Sequence, residues 1–111
     1  MSLQAQMITI DCARPRALAE WWATALGVEV GEDFGEFVMV AAEPLVLGFQ
    51  RVPEEKRVKN RVHVDFAAAD RTEEVDRLVG LGATVVGEYS VWGPTWTTLR
   101  DPEGNEFCVS D

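Results

Sequence analysis

The sequence predicts an α+β fold in which a strand, a helix and then further strands occur in that order twice. Three observations carry this expectation. Amphipathic helical stripes alternate with short apolar or β-branched stretches. Pieces of the first half recur in the second. The chain of 111 residues, 47% hydrophobic and 26% charged, has the make-up of one packed domain rather than a disordered tail. The recurring pieces are Ile10-Asp11 with Val64-Asp65, Leu26-Gly27 with Leu81-Gly82, and Val30-Gly31-Glu32 with Val86-Gly87-Glu88, at offsets of 54, 55 and 56 residues. Their order is kept and the drift is what single insertions produce, so the sequence reads as a duplicated unit. The expected organisation is a single domain over 1–111, with module one at about 7–50, a linker at about 51–60 and module two at about 61–111.

The elements follow in order. Met7 to Cys12 is a short strand-like stretch, and Pro15 stands where a first helical residue tolerates the missing N–H. Leu18, Trp21, Trp22, Ala25 and Leu26 form one apolar stripe at helical spacing, closed by Gly27. Phe37 to Val40 and Leu45 to Phe49 are strands flanking a Glu43-Pro44 turn. Arg51 to Arg61 is polar and holds five of the ten basic residues: a solvated linker, or a basic rim facing an acidic substrate or a second subunit. Arg61 to Phe66 alternates as a strand does. Asp70 and Glu73 then form a capping pair ahead of Val75, Leu78 and Val79. Gly82 ends that helix, Ala83 to Val86 and Trp92 to Leu99 are strands, and Asp101-Pro102-Glu103-Gly104 is a type I turn into a last strand at Asn105 to Val109.

Composition excludes several functions. A net charge of −9 repels phosphate backbones and anionic lipid, so nucleic acid and membrane surfaces are not expected partners. The longest apolar run, Phe37 to Ala42, falls far short of the roughly 18 residues of a spanning helix, and a cytoplasmic location is expected. Cys12 and Cys108 match no paired metal spacing and are too few for a disulfide framework, so two buried thiols are expected. Ser2, Ser90 and Ser110 lie in no nucleophile turn, and Gly80-Leu81-Gly82 ends a helix rather than opening one, which argues against serine hydrolysis and dinucleotide binding. A chain this small buries roughly two thirds of its unfolded surface, so a homodimer sharing its site is expected.

The motifs Ile8-Thr9-Ile10-Asp11-Cys12, Trp21-Trp22 with Leu26-Gly27, Asn60-Arg61-Val62-His63-Val64-Asp65, and the closing Asp101-Pro102-Glu103-Gly104-Asn105-Glu106-Phe107 span nearly the whole chain. Together they resemble the vicinal oxygen chelate superfamily of glyoxalase I, bleomycin-resistance proteins and extradiol dioxygenases, and most of all its small glyoxalase-like proteins. The resemblance implies two βαβββ modules, each curling its sheet around a cleft, and frequent dimers. In metal-dependent members each module offers one ligand on its first strand and another, usually Glu, on its last. His63 fills the first-strand position of module two; its counterpart is Met7, or Thr9 if Ile10-Asp11 is matched to Val64-Asp65. Cys108 stands where the last-strand Glu is expected, and module one offers only the neutral amide of Gln50.

His63, the only histidine, has three readings: a cleft-wall hydrogen-bonding residue, a partner of Asp65 or Cys108, or a ligand. With Cys108 it suits a soft zinc or copper site that needs further donors from Asp11, Asp65, Glu106 or a partner subunit; the same pair could act as thiolate and base. Asp11 and Asp65 are candidate acid–base carboxylates or caps. Strand alternation sends Asp11, His63 and Asp65 to the cleft, with Trp96, Thr98 and Arg100 in one register. Trp92 and Trp96 are candidate platforms for a planar or cationic ligand, or core. The leading expectation is a small-molecule-binding protein of the glyoxalase/bleomycin-resistance kind with an acidic, Trp-lined cleft and no complete family metal site. The alternatives are a metal-dependent lyase or dioxygenase anchored by His63 with Cys108 or Glu106, a divalent metal then being the cofactor, and a structural dimer.

Overall fold

The computed structural model describes residues 4–91, 93 and 95–111. The described elements are β1 (Met7–Cys12), α1 (Pro15–Leu26), β2 (Val30–Asp33), β3 (Phe37–Val40), β4 (Val46–Arg51), β5 (Asp65–Ala67), α2 (Arg71–Gly80), β6 (Thr84–Ser90), β7 (Thr95–Arg100) and β8 (Glu106–Ser110). They build two four-stranded sheets with the same order, β1-β4-β3-β2 and β5-β8-β7-β6. In each, the first strand runs parallel to the last and the remaining pairs are antiparallel. The α+β class and the repeated βαβββ order are therefore as expected. The chain divides into two compact units, Met1–Glu55 and Lys56–Asp111, inside the basic segment. No described helix is long and apolar enough to cross a membrane.

In the first unit, Pro15 opens α1 and Gly27 closes it at φ 68°, a conformation glycine adopts at little cost. Leu18, Ala19, Trp22, Ala23 and Ala25 are buried. The helix packs on β3 and β4. The strand residues of this core, Val38, Val40, Leu47 and Phe49, are at most 3% exposed. Trp21 meets Trp22 edge-on with ring centroids 5.0 Å apart.

In the second unit the Asp70 carboxylate accepts the Glu73 backbone N–H at 3.1 Å, which is the expected cap. Helix α2 packs on β7 and β8 and buries only Leu78. Leu99, Phe107 and Val109 form the buried strand side, and Phe66 abuts Phe107 edge to face. On that side Arg71 donates to Thr97 Oγ1 at 2.8 Å. The turn ahead of β8 is built on Asp101, which is 3% exposed. One oxygen of its carboxylate accepts the backbone N–H groups of Glu103 and Asn105, both at 2.9 Å, and Gly104 sits at φ 85°.

Several strand limits differ from expectation. β4 is displaced towards its C-terminal end relative to Leu45–Phe49, and β2 was hidden because Gly31, Glu32 and Asp33 carry no apolar alternation. β6 outruns Ala83–Val86 by continuing through an irregularity between Val85 and Gly87, and β7, described from Thr95, runs on to Arg100, with Trp92 and Pro94 of the expected strand outside the described residues. β5 is much shorter than Arg61–Phe66. The cause is Asn60, whose side chain takes the place of a ladder partner: its Nδ2 donates to the Glu106 carbonyl at 3.2 Å and its Oδ1 accepts the Glu106 N–H at 2.9 Å.

Candidate functional site

The second unit brings three chemically different donors together. Asp65 stands opposite Cys108 in the parallel β5–β8 ladder, and His63 precedes Asp65 by two residues, on the same side of the chain. His63 Nε2 lies 3.4 Å from Asp65 Oδ1. With Cys108 Sγ, one ligand atom from each residue lies within 4.8 Å of the others. The segment carrying His63 is held by two ties to β8: the Asn60 side chain on the Glu106 backbone, and the Cys108 N–H donated to the Val64 carbonyl at 3.0 Å.

Cys108 is buried while His63 and Asp65 are exposed. Burial pushes the Cys108 thiol above its ordinary range; the hydrogen bond shared with Thr98 Oγ1 at 3.3 Å opposes this, and the charge of Asp65 adds to it. The thiol is thus kept neutral, and the thiolate–base reading of the His63 and Cys108 pair gains nothing from its surroundings.

An aromatic shelf adjoins this cluster on the same sheet face. Trp96 is two residues from Thr98, and its cross-strand partner Tyr89 stacks against it with centroids 5.7 Å apart and planes tilted by 31°. The Tyr89 hydroxyl lies over Gly87, where a Cβ would sit only 2.6 Å away, and Gly87 pairs with Thr98. Tyr89 was missed by sequence reasoning. The available signal was a glycine two residues before a tyrosine in one strand, since such residues share a face.

The other candidates are placed differently. Glu106 points its carboxylate between Lys59 and Arg100, 3.7 Å from each, and is not one of the converging donors. Asp11 is exposed on β1 of the first unit, opposite Gln50. Trp92 lies outside the described residues.

The internal repeat identifies the first unit's equivalent position. His63 lies seven residues before the α2 N-cap Asp70, and Met7 lies seven before the α1 N-cap Arg14. Cys108 sits between buried Phe107 and Val109, and Gly48 between buried Leu47 and Phe49. Gly48 pairs with Thr9 and Met39, just as Cys108 pairs with Asp65 and Thr98. The equivalents are thus Met7 for His63, Gly48 for Cys108, Thr9 for Asp65 and Phe37 for Trp96. The sequence echo of Ile10-Asp11 with Val64-Asp65 is two residues out of structural register, and Gly48, not Gln50, answers to Cys108. Packing agrees, because a Cβ on Gly48 would lie 2.7 Å from the Phe37 ring and 3.2 Å from the Met7 sulfur.

Residues 7–110 match the family model of the glyoxalase-like domain. The chain belongs to the glyoxalase-like family, within the vicinal oxygen chelate superfamily. Solved structures agree on the fold. TioX from Micromonospora sp. ML1 is 16% identical with a TM-score of 0.73, covering 97% of this chain and 98% of that one. A glyoxalase/bleomycin resistance protein/dioxygenase family enzyme from Burkholderia phytofirmans PsJN is 20% identical with a TM-score of 0.76, covering 95% of both chains. Lactoylglutathione lyase from Agrobacterium tumefaciens is 17% identical with a TM-score of 0.74, covering 96% of this chain and 92% of that one. No curated protein matches the sequence.

In this glyoxalase-like chain the superfamily's metal arrangement, two donors from each module, does not fit. Met7 offers a thioether, a poor ligand for a hard divalent ion, and Gly48 offers no side chain. The Phe37 ring lies where a side chain on Gly48 would project.

Proposed function

We propose that the protein recognises a compact small molecule on the face of its second sheet turned away from α2, without the superfamily's four-donor metal site. The observation that carries this reading is the junction of the Tyr89–Trp96 shelf with the polar group His63, Asp65, Thr98 and Cys108 on one sheet face. Stacked rings offer area to a planar ligand and negative ring faces to a cation, and the exposed Asp65 carboxylate adds charge of the right sign. The net charge of −9 favours the cationic members of this class. A homodimer belongs to the proposal, supported by the exposed Val85 and Val86 on the edge strand β6 and Val91 just after it.

The test is thermal unfolding of the metal-free protein against a panel of cationic and aromatic metabolites and antibiotics. A ligand present at 100 times its Kd stabilises by about 2.7 kcal/mol, and Trp96→Ala and Asp65→Asn are expected to remove that gain. A panel with no stabilising member, or a ligand indifferent to both substitutions, overturns the reading. A metal-assisted lyase or dioxygenase would have to draw its donors from the second unit, with His63 as anchor.

A further inference from the structure

The geometry points to a second property of the same face: we propose that His63, Asp65 and Cys108 form a three-donor site, contained in one unit, for a borderline-soft divalent ion of the zinc type. This is not the superfamily's set of two donors from each module. It uses Asp65, a residue that set does not include, and needs nothing from Met7 or Gly48.

Zinc takes imidazole nitrogen, carboxylate oxygen and thiolate sulfur at about 2.0–2.3 Å, which separates neighbouring ligand atoms by about 3.3–3.6 Å in a tetrahedron. His63 Nε2 and Asp65 Oδ1 are already 3.4 Å apart, and all three donor atoms fall within 4.8 Å of one another. The backbone that carries the three donors is tied in place by the Asn60–Glu106 hydrogen bonds and the Cys108–Val64 hydrogen bond. Thr98 supplies outer support by its hydrogen bond to Sγ. When the ion binds, a sulfur–metal bond forms and the thiol proton passes to solvent. Sulfur and nitrogen donors select zinc, cobalt or cadmium over magnesium, calcium or manganese, which prefer all-oxygen sets. Three protein donors leave a fourth position open. The inference does not rest on the small-molecule reading, because the ligand panel is run without metal and can succeed or fail independently.

The experiment is titration of the tag-free, full-length protein with cobalt(II), followed by absorption and by competition with zinc and magnesium. The expected result is saturation at one ion per chain, with a thiolate-to-cobalt charge-transfer band that zinc abolishes and magnesium does not. Cys108→Ser is expected to lose the band, whereas Cys12→Ser keeps it. His63→Ala and Asp65→Asn change side chains that are 41% and 72% exposed, so their folding is safe, and each is expected to weaken binding at least about tenfold. Absence of saturable binding, a band that survives Cys108→Ser, displacement of cobalt by magnesium as readily as by zinc, or unchanged affinity in both exposed variants would each overturn the proposal.

Discussion

The two units repeat one scaffold and fill its equivalent positions with opposite chemistry. Met7, Gly48 and Phe37 meet in the first, where a ring and a thioether cover a bare backbone; His63, Cys108 and Trp96 occupy the same places in the second. The helix-facing sides have diverged much less: Val38, Val40, Leu47 and Phe49 answer to Thr97, Leu99, Phe107 and Val109. Duplication therefore preserves the side of each sheet that must be packed by a helix, because loss of buried apolar volume is costly. The other side is released to change.

Substitutions in the two cores have the largest expected effect. Phe49→Ala and Leu99→Ala, at positions 0% exposed, are expected to cost about 3–5 and 2–5 kcal/mol respectively in chemical denaturation. A loss below about 1 kcal/mol at either would contradict the equivalence of the two packed sides.

Gly48→Ala tests the side of the first sheet turned away from α1. The new methyl meets the Phe37 ring, and overpacking of this kind costs about 1–3 kcal/mol. Phe37→Ala in the same chain is expected to remove most of that penalty. If the double variant is no better than the sum of the singles, the ring does not occupy the place that Cys108 holds in the second unit.

Helix starts give a smaller contrast. Asp70 caps α2 through its side chain, whereas Arg14 at the start of α1 makes no such capping bond and Pro15 follows it. Asp70→Ala is expected to cost about 1 kcal/mol, measured as a lower denaturation midpoint.

The smallest effect is electrostatic. Burial raises the Cys108 thiol above its ordinary 9.0, so the folded chain holds this proton to higher pH than the unfolded chain does. Stability from this group is intact below pH 9.0 and falls as pH rises through the folded value. Alkylation of Cys108 at pH 8 is expected to be slower than that of a free thiol, and slower again in Thr98→Val, which removes the interaction favouring the thiolate. Equal rates in the parent chain and Thr98→Val would show that the Thr98 hydrogen bond does not act on the sulfur.

Much of the fold was legible in the residues. The Leu18, Trp22 and Ala25 stripe, the Gly27 stop, the Asp70 cap and the Asp101 turn are local devices, and each acts in the structure as its chemistry dictates. Strand limits were less legible, since β5 is shortened by a side chain from outside the strand, Asn60, and β6 continues through an irregularity. Of the candidate site, His63 and Cys108 stood out by residue type. Asp65 was one of several possible third donors, and Tyr89 drew no notice.

The sequence by itself determined the repeated α+β order, the family and the two packed sides, because helix caps, turn residues and apolar periodicity act over a few neighbouring positions. Only the tertiary structure decided which residues answer to one another across the repeat and which donors converge. Those depend on strand register, and a shift of two residues keeps every side chain on its face while changing every partner. That is why Ile10-Asp11 matched Val64-Asp65 in the sequence while Met7 and Gly48 are the positions that correspond to His63 and Cys108.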